Sequence, residues 1–232
     1  MIETIAVVIP AHNEEDLLPA CLAAVRHAAQ RVAPVPVQLI VVADACTDRT
    51  AERAARAGAS VLRIGTRCVG AARAAGMRQA LSRARHLDPR SLWLATTDAD
   101  TLVPKGWLSG HLRRAAAGWD AVAGTVTVAD WAGHPPQLPA AFRQHYGHRR
   151  GAHPHVHGAN LGFTARAYLA AGGFPPRPSA EDHALVAALT AAGGRILRTT
   201  EVSVRTSARR HARAPHGFGH LLSTLAMAAP PG

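Results

Sequence analysis

Leu92-Trp93-Leu94-Ala95-Thr96-Thr97-Asp98-Ala99-Asp100-Thr101 is an apolar run of strand length that stops at two aspartates separated by one small residue. Side chains alternate along an extended chain, so Asp98 and Asp100 project the same way. In open α/β sheets the carboxyl ends of the strands are where ligands bind. Two carboxylates held this close repel unless a cation lies between them or one takes up a proton. A hard divalent ion such as Mg²⁺ or Mn²⁺ suits the pair, because such ions keep waters and share oxygens with phosphates. A solvated turn is the competing reading, since Asp and Thr are ordinary turn residues. The surrounding chain has to decide between them.

Upstream, strands and helices alternate. Ile5-Ala6-Val7-Val8-Ile9 is a continuous apolar run, as in a strand covered on both faces, and it stops at Pro10. Asn13-Glu14-Glu15-Asp16 then reads as a helix start, with Asn13 as N-cap. Glu14 and Glu15 would complement the helix dipole there or serve as ligands. Val37 to Ala43 is a second strand ending in Asp44, and Thr47-Asp48 opens the next helix. Ser60 to Ile64 is a third strand, followed by a helix from about Gly70 to Arg85, and the aspartate pair closes the fourth strand. This alternation predicts a parallel sheet with right-handed crossovers.

Downstream, Pro104–Ala117, Phe142–Arg150, Ser179–Gly193 and Phe218–Met227 read as helices, as does the segment ending at Gly172-Gly173-Phe174. Ala121–Val128, Ile196-Leu197 and Val202-Ser203-Val204 read as strands. His153, His155 and His157 would share a face if extended; they suit a polar, acceptor-facing loop better than a zinc site. Trp131 and Tyr146 are candidates for stacking on a ligand or for the core. No repeat or low-complexity linker divides the 232 residues, which form one domain.

With 26 basic and 15 acidic residues the formal charge is +11, which suits a polyanionic partner such as a nucleotide, nucleic acid or anionic lipid. Arg205 to Arg213 is the densest basic patch. No aromatic–basic interleaving or zinc-finger spacing accompanies it, so nucleic acid is not the expected partner. Three scattered cysteines without a CxxC suit reduced thiols and a cytoplasmic location. No apolar run reaches the roughly 18 residues a membrane span needs, and no basic leader precedes the first strand. Peripheral contact with the inner face of a membrane stays open.

Taken in order, several elements resemble the family-two glycosyltransferases of the GT-A fold. They are Val8-Ile9-Pro10-Ala11-His12-Asn13-Glu14-Glu15, Val41 to Asp48, Gly70-Ala71-Ala72-Arg73-Ala74-Ala75-Gly76, Asp98-Ala99-Asp100, Gly172-Gly173-Phe174 and Glu181-Asp182. The resemblance implies a Rossmann-like sandwich with a mostly parallel sheet. It further implies transfer of a sugar from a nucleotide-sugar donor, UDP-linked by expectation, to an acceptor hydroxyl. A nucleotide-binding half would span about residues 1–101 and an acceptor half about 102–232. Pro10, Ala11, Glu14 and Asp44 would hold the base and ribose, with Arg73 and Asp98 near the donor. Asp100 would bind Mn²⁺ or Mg²⁺ directly, with Asp98 assisting and His211 completing the shell. Asp182, beside Glu181, matches the family's catalytic base, which implies inversion. Arg209, Arg210 and Arg213 would present guanidinium forks to the diphosphate, or form a solvated basic tail.

The sequence departs from the family in places. Ala43-Asp44-Ala45-Cys46 stands where Asp-Asp-Gly-Ser is usual, and Ala74 where Asn is common. No Gln-x-x-Arg-Trp follows Asp182, which argues for single transfer over polymerisation. A retaining transferase of the same fold is the nearest alternative. A nucleotidyltransferase would want a Gly-rich basic loop where Pro10–Glu15 is acidic, and a dehydrogenase would want GxGxxG. A basic binding module for nucleic acid or anionic membrane is the non-enzyme alternative.

Overall fold

The computed structural model describes residues 1–128, 130–146, 153–209 and 218–228. Strands β1 (Thr4–Ala11), β2 (Val37–Asp44), β3 (Ser60–Ile64) and β4 (Leu92–Thr96) are mutually parallel. The helices between them are α1 (Leu18–Gln30), α2 (Thr50–Arg56) and α3 (Val69–Arg83). The second half adds β5 (Thr101–Leu102), α4 (Trp107–Ala116), β6 (Ala121–Val128), α5 (Leu138–Tyr146), β7 (Leu161–Thr164) and α6 (Ala165–Ala170). It ends with α7 (Glu181–Ala191), β8 (Ile196–Thr206) and α8 (Phe218–Ala228). All strands join one eight-stranded sheet in the order β3-β2-β1-β4-β7-β6-β8-β5.

The alternation of β1 explains the two-sided core. Ile5, Val7 and Ile9 face α1 through Leu18, Leu22 and Val25, while Ala6 and Val8 face α3 through Ala72, Met77 and Ala80. Small side chains let α3 lie close to the sheet. A Cβ on Gly76 would run into the side chains of Val8 and Val42. Such helix-to-sheet contact is what an Ala- and Gly-rich helix permits.

Several boundaries differ from the sequence reading, each for a local reason. Helix α1 starts at Leu18, with Pro19 in its first turn, and Asn13 is not its N-cap. Asn13 instead has φ +52° and takes the Thr47 N–H on its Oδ1 at 2.8 Å, while Glu14 N–H donates to Thr50 Oγ1 at 2.7 Å. Residues 11–16 are thus braced against the loop after β2 and are not coiled into a helix. Leu161–Thr164, unassigned in the sequence reading, is a strand antiparallel to both β4 and β6 that leads directly into α6. The helix expected from Phe142 begins at Leu138, with Pro139 in its first turn where a missing N–H does no harm. The two short strands after Gly194 are one, β8, whose register against β6 shifts between Ala123 and Thr125. The antiparallel β7 joins the parallel β1–β4 block to β6 and β8.

Candidate active site

The sheet's carboxyl-end loops surround one cavity of about 640 Å³. Pro10 and Ala11 end β1 and Glu14 follows it, Asp44 ends β2, and Asp98 and Asp100 follow β4; all line the cavity. Arg73 reaches it from α3, Glu181 and Asp182 from the start of α7, and Arg209 from the segment after β8. The sequence-predicted residues within the described regions therefore meet on one cavity. His211, Arg210 and Arg213 lie outside the described residues.

Two arginines organise the carboxylates. Arg73 is 3% exposed; its Nη2 donates to Asp98 Oδ1 at 2.5 Å, its Nη1 to Glu181 Oε1, and its Nε to Thr96 Oγ1 at 3.3 Å. Arg209 binds Glu14 with both terminal nitrogens, at 3.0 and 2.7 Å, and reaches Asp100 Oδ2 at 2.5 Å. Bidentate guanidinium–carboxylate geometry of this kind fixes both partners. Gly158 makes room for the first cluster, since a Cβ there would overlap the Arg73 guanidinium. The Gly158 N–H also donates to Asp182 Oδ2 at 2.8 Å, which fixes that carboxylate at the cavity wall.

Crowding is visible in the titration behaviour. Burial among other carboxylates raises Asp98 to about 6, against the pull of Arg73, and Asp100 pushes the same way as burial. Its side chain keeps 38% exposure, which leaves it open to the cavity. Burial also raises Glu181, again opposed by Arg73. Burial disfavours the Arg73 and Arg209 charges, yet their carboxylate partners hold both guanidinium groups above the ordinary value.

Asp44 faces the cavity with its acceptor sites already occupied. Its Oδ1 accepts from the Thr66 and Arg67 N–H groups at 2.7 and 2.8 Å. Its Oδ2 accepts from Thr66 Oγ1 at 3.0 Å and Cys68 N–H at 2.8 Å. The side chain shapes the loop that leads into α3. Backbone strain gathers in the same place: Asn13, Ala45, Arg67 and Ala180 have φ of +52°, +49°, +49° and +56°. Each adjoins a carboxylate of the site or the loop held by one, as expected where surrounding structure holds a functional geometry.

Sequence reasoning missed Gly158, because a lone glycine does not signal contacts made more than twenty residues away, and Ala180, because nothing in an alanine announces a positive φ. His12 was also passed over; its ring Nδ1 lies 2.7 Å from the Asp44 carbonyl oxygen. The three alternating histidines do share a face, but as a stacked ladder, with ring separations of 5.9 and 6.0 Å. Their Nε2 atoms go to three separate partners: the Ala123 carbonyl, the Tyr146 carbonyl and Tyr146 Oη. Among the described residues no group of three or more side chains is gathered as a metal shell. Tyr146 is buried between Phe142 and His155, a core position, while Trp131 packs on Phe142 at the edge of the core.

The profile of Glycosyl transferase family 2 matches residues 6–168. The chain belongs to that family. Solved structures agree on the GT-A fold at low sequence identity. S. aureus TarS 1–349 in complex with UDP-GlcNAc superposes with a TM-score of 0.67 at 14% identity, covering 97% of this chain and 66% of that one. The mannosyltransferase PcManGT from Pyrobaculum calidifontis, in complex with GDP-Man and Mn²⁺, gives 0.64 at 20% identity, covering 96% and 68%. M. tuberculosis glucosyl-3-phosphoglycerate synthase gives 0.55 at 20% identity, covering 97% and 77%. The family-2 chain spans 37% of a longer TarS chain. No curated protein matches it in sequence. Among its described residues no helix is long and apolar enough to cross a membrane.

Proposed function

We propose that this chain transfers a glycosyl group from a nucleoside diphosphate sugar, with UDP the expected nucleotide, to an acceptor hydroxyl with inversion. The observation that best supports this is the convergence of Glu14, Asp44, Asp98 and Asp100 on the cavity that Asp182 faces. Unpaired Cys21, Cys46 and Cys68 suit action in the reducing cytoplasm.

The charge and donor chemistry of these residues suit a divalent cation, although no shell of three or more ligands is gathered among the described residues. Glu14, Asp98, Asp100 and Glu181 set four carboxylates against the two guanidinium groups of Arg73 and Arg209, a surplus of two negative charges. The available donors are hard carboxylate oxygens, which suit Mn²⁺ or Mg²⁺. Asp100 and Asp98 would hold the ion, and His211 is the further ligand suggested by the sequence. Such an ion supplies Lewis-acid stabilisation of the charge on the departing diphosphate.

The chain's own groups do the rest. Pro10, Ala11 and the Asp44-held loop flank the base and ribose, so Asp44 acts through the backbone it positions. Arg209, on leaving Asp100, offers its fork to the diphosphate oxygens. Arg73 fixes Asp98 and is itself held by Glu181. Asp182, fixed by Gly158, takes the acceptor hydroxyl proton as the new bond to the anomeric carbon forms. The bond from that carbon to the diphosphate oxygen breaks, and the nucleoside diphosphate leaves with the electron pair.

A panel of nucleoside diphosphates with and without Mn²⁺, read by thermal shift, tests the donor class through mass action on the native state. Asp182→Asn is expected to keep nucleotide stabilisation and lose transfer by at least a hundredfold. Full transfer activity in that variant would reject Asp182 as the base.

A further inference from the structure

The cavity is divided by charge. Its strand-end half holds Glu14, Asp98, Asp100, Arg73 and Arg209. Val126, Val156, Phe218, Leu221 and His157 line the cavity as well, with His183, Thr206 and Ser207 as further polar members. The wall is continuous. Val126 N–H donates to Tyr146 Oη at 3.4 Å, and the same hydroxyl meets His157 Nε2. Tyr146 stacks on His157 at 5.6 Å, and Phe218 meets the His157 edge at 6.2 Å and 84°. His157 leads directly into Gly158, whose N–H holds Asp182.

Among the described residues, Val126, Val156, Phe218 and Leu221 carry no charge and are packed from behind. Phe218 packs edge-on to Phe142 at 5.8 Å, and Leu222 anchors α8 with 1% exposure. Burial lowers His157 to about 3, so its imidazole is neutral at working pH. A phosphate or carboxylate placed on these side chains would lose water without gaining a counter-charge from them, and a bare sugar would lose many of its hydrogen bonds. An alkyl or aryl group gains from the same burial.

We propose that this wall selects the acceptor: an alcohol with an apolar alkyl or aryl body, whose hydroxyl meets Asp182 while the body lies on Val126, Val156, Phe218 and Leu221. The proposal rests on the glycosyltransferase reading of the site and adds the class of substrate.

The test compares transfer to n-octyl β-D-glucoside, 1-octanol, glucose and glucose 6-phosphate, using the sugar donor whose nucleotide stabilises the protein. Octyl glucoside or octanol is expected to exceed glucose and glucose 6-phosphate at least tenfold in kcat/KM. Leu221→Ser is expected to reduce that preference severalfold, mainly through KM, with nucleotide stabilisation intact. Equal or better use of glucose or glucose 6-phosphate overturns the acceptor assignment, as does nucleotide binding with no transfer to either apolar acceptor. A preference unaltered in Leu221→Ser overturns it as well. Failure of every nucleotide to bind would instead remove the transferase reading beneath it.

Discussion

Arg209 occupies Asp100, a carboxylate that the cation would need, and this gives the structure a sharp thermodynamic signature. Arg209→Met keeps much of the side chain's length and removes three charge-assisted hydrogen bonds to Glu14 and Asp100. Those carboxylates are 6% and 11% exposed, so they cannot hydrate fully once the guanidinium is gone. Removing one partner of a buried pair costs about 3–5 kcal/mol. Arg209 itself is 27% exposed and the cavity admits water, which lowers the expected loss to about 2–3 kcal/mol. For a chain of this size that corresponds to a fall in Tm of about 4–12 °C. Mn²⁺ should reverse part of it, because the ion binds Asp100, one of the two carboxylates left unpaired, without first displacing a guanidinium. Wild type, where displacement opposes binding, should gain less from the same Mn²⁺ concentration. Differential scanning calorimetry of both proteins across a Mn²⁺ series measures this directly. Equal melting temperatures without metal, or equal gains with it, would refute the role assigned to Arg209.

The remaining predictions follow from single contacts. Asp98, raised to about 6 from 3.8, keeps its proton in the folded state over a range where the unfolded chain releases it, so its contribution to stability is present below pH 3.8 and lost as pH rises through about 6. Cation binding near pH 6 should therefore release about half a proton, seen by calorimetry in buffers of different ionisation enthalpy and absent in Asp98→Asn; no release from wild type would contradict the shift. Gly158→Ala forces the Arg73 guanidinium out of its pocket and should cost about 3 kcal/mol or more, with nucleotide binding weakened; a wild-type melting curve would count against the packing described. Ala45→Gly relieves a φ of +49° and should raise stability by about 0.5–1 kcal/mol, a gain that urea titration can resolve; a loss would show that Ala45 makes a contact worth more than its strain.

The fold was legible because strand runs and aspartates carry local signals. Each of β1, β2 and β4 reads as an apolar run, and each points to a carboxylate at or beyond its end. Much of the site geometry was not local. Asn13 looks like an N-cap in sequence, yet its backbone and side chain answer to Thr47 and Cys46 more than thirty residues on. β7 was missed because Leu161-Gly162-Phe163-Thr164 has too short an alternation to announce a strand; only insertion between β4 and β6 makes it one.

Ala45 joins the two levels. The family usually has glycine at this place, and the structure shows why: the chain must turn through positive φ just after Asp44, whose side chain then caps residues 66–68. Alanine holds the same turn at a cost of about 1–2 kcal/mol. The four hydrogen bonds to Asp44 keep residues 44 and 66–68 together and thereby offset that strain. If so, the turn should depend on Asp44 more heavily here than it would with glycine at position 45. The double-mutant cycle of Asp44→Asn with Ala45→Gly should then show coupling of about 0.5 kcal/mol or more, with Asp44→Asn less damaging in the glycine background. Strict additivity would mean that strain and capping are independent.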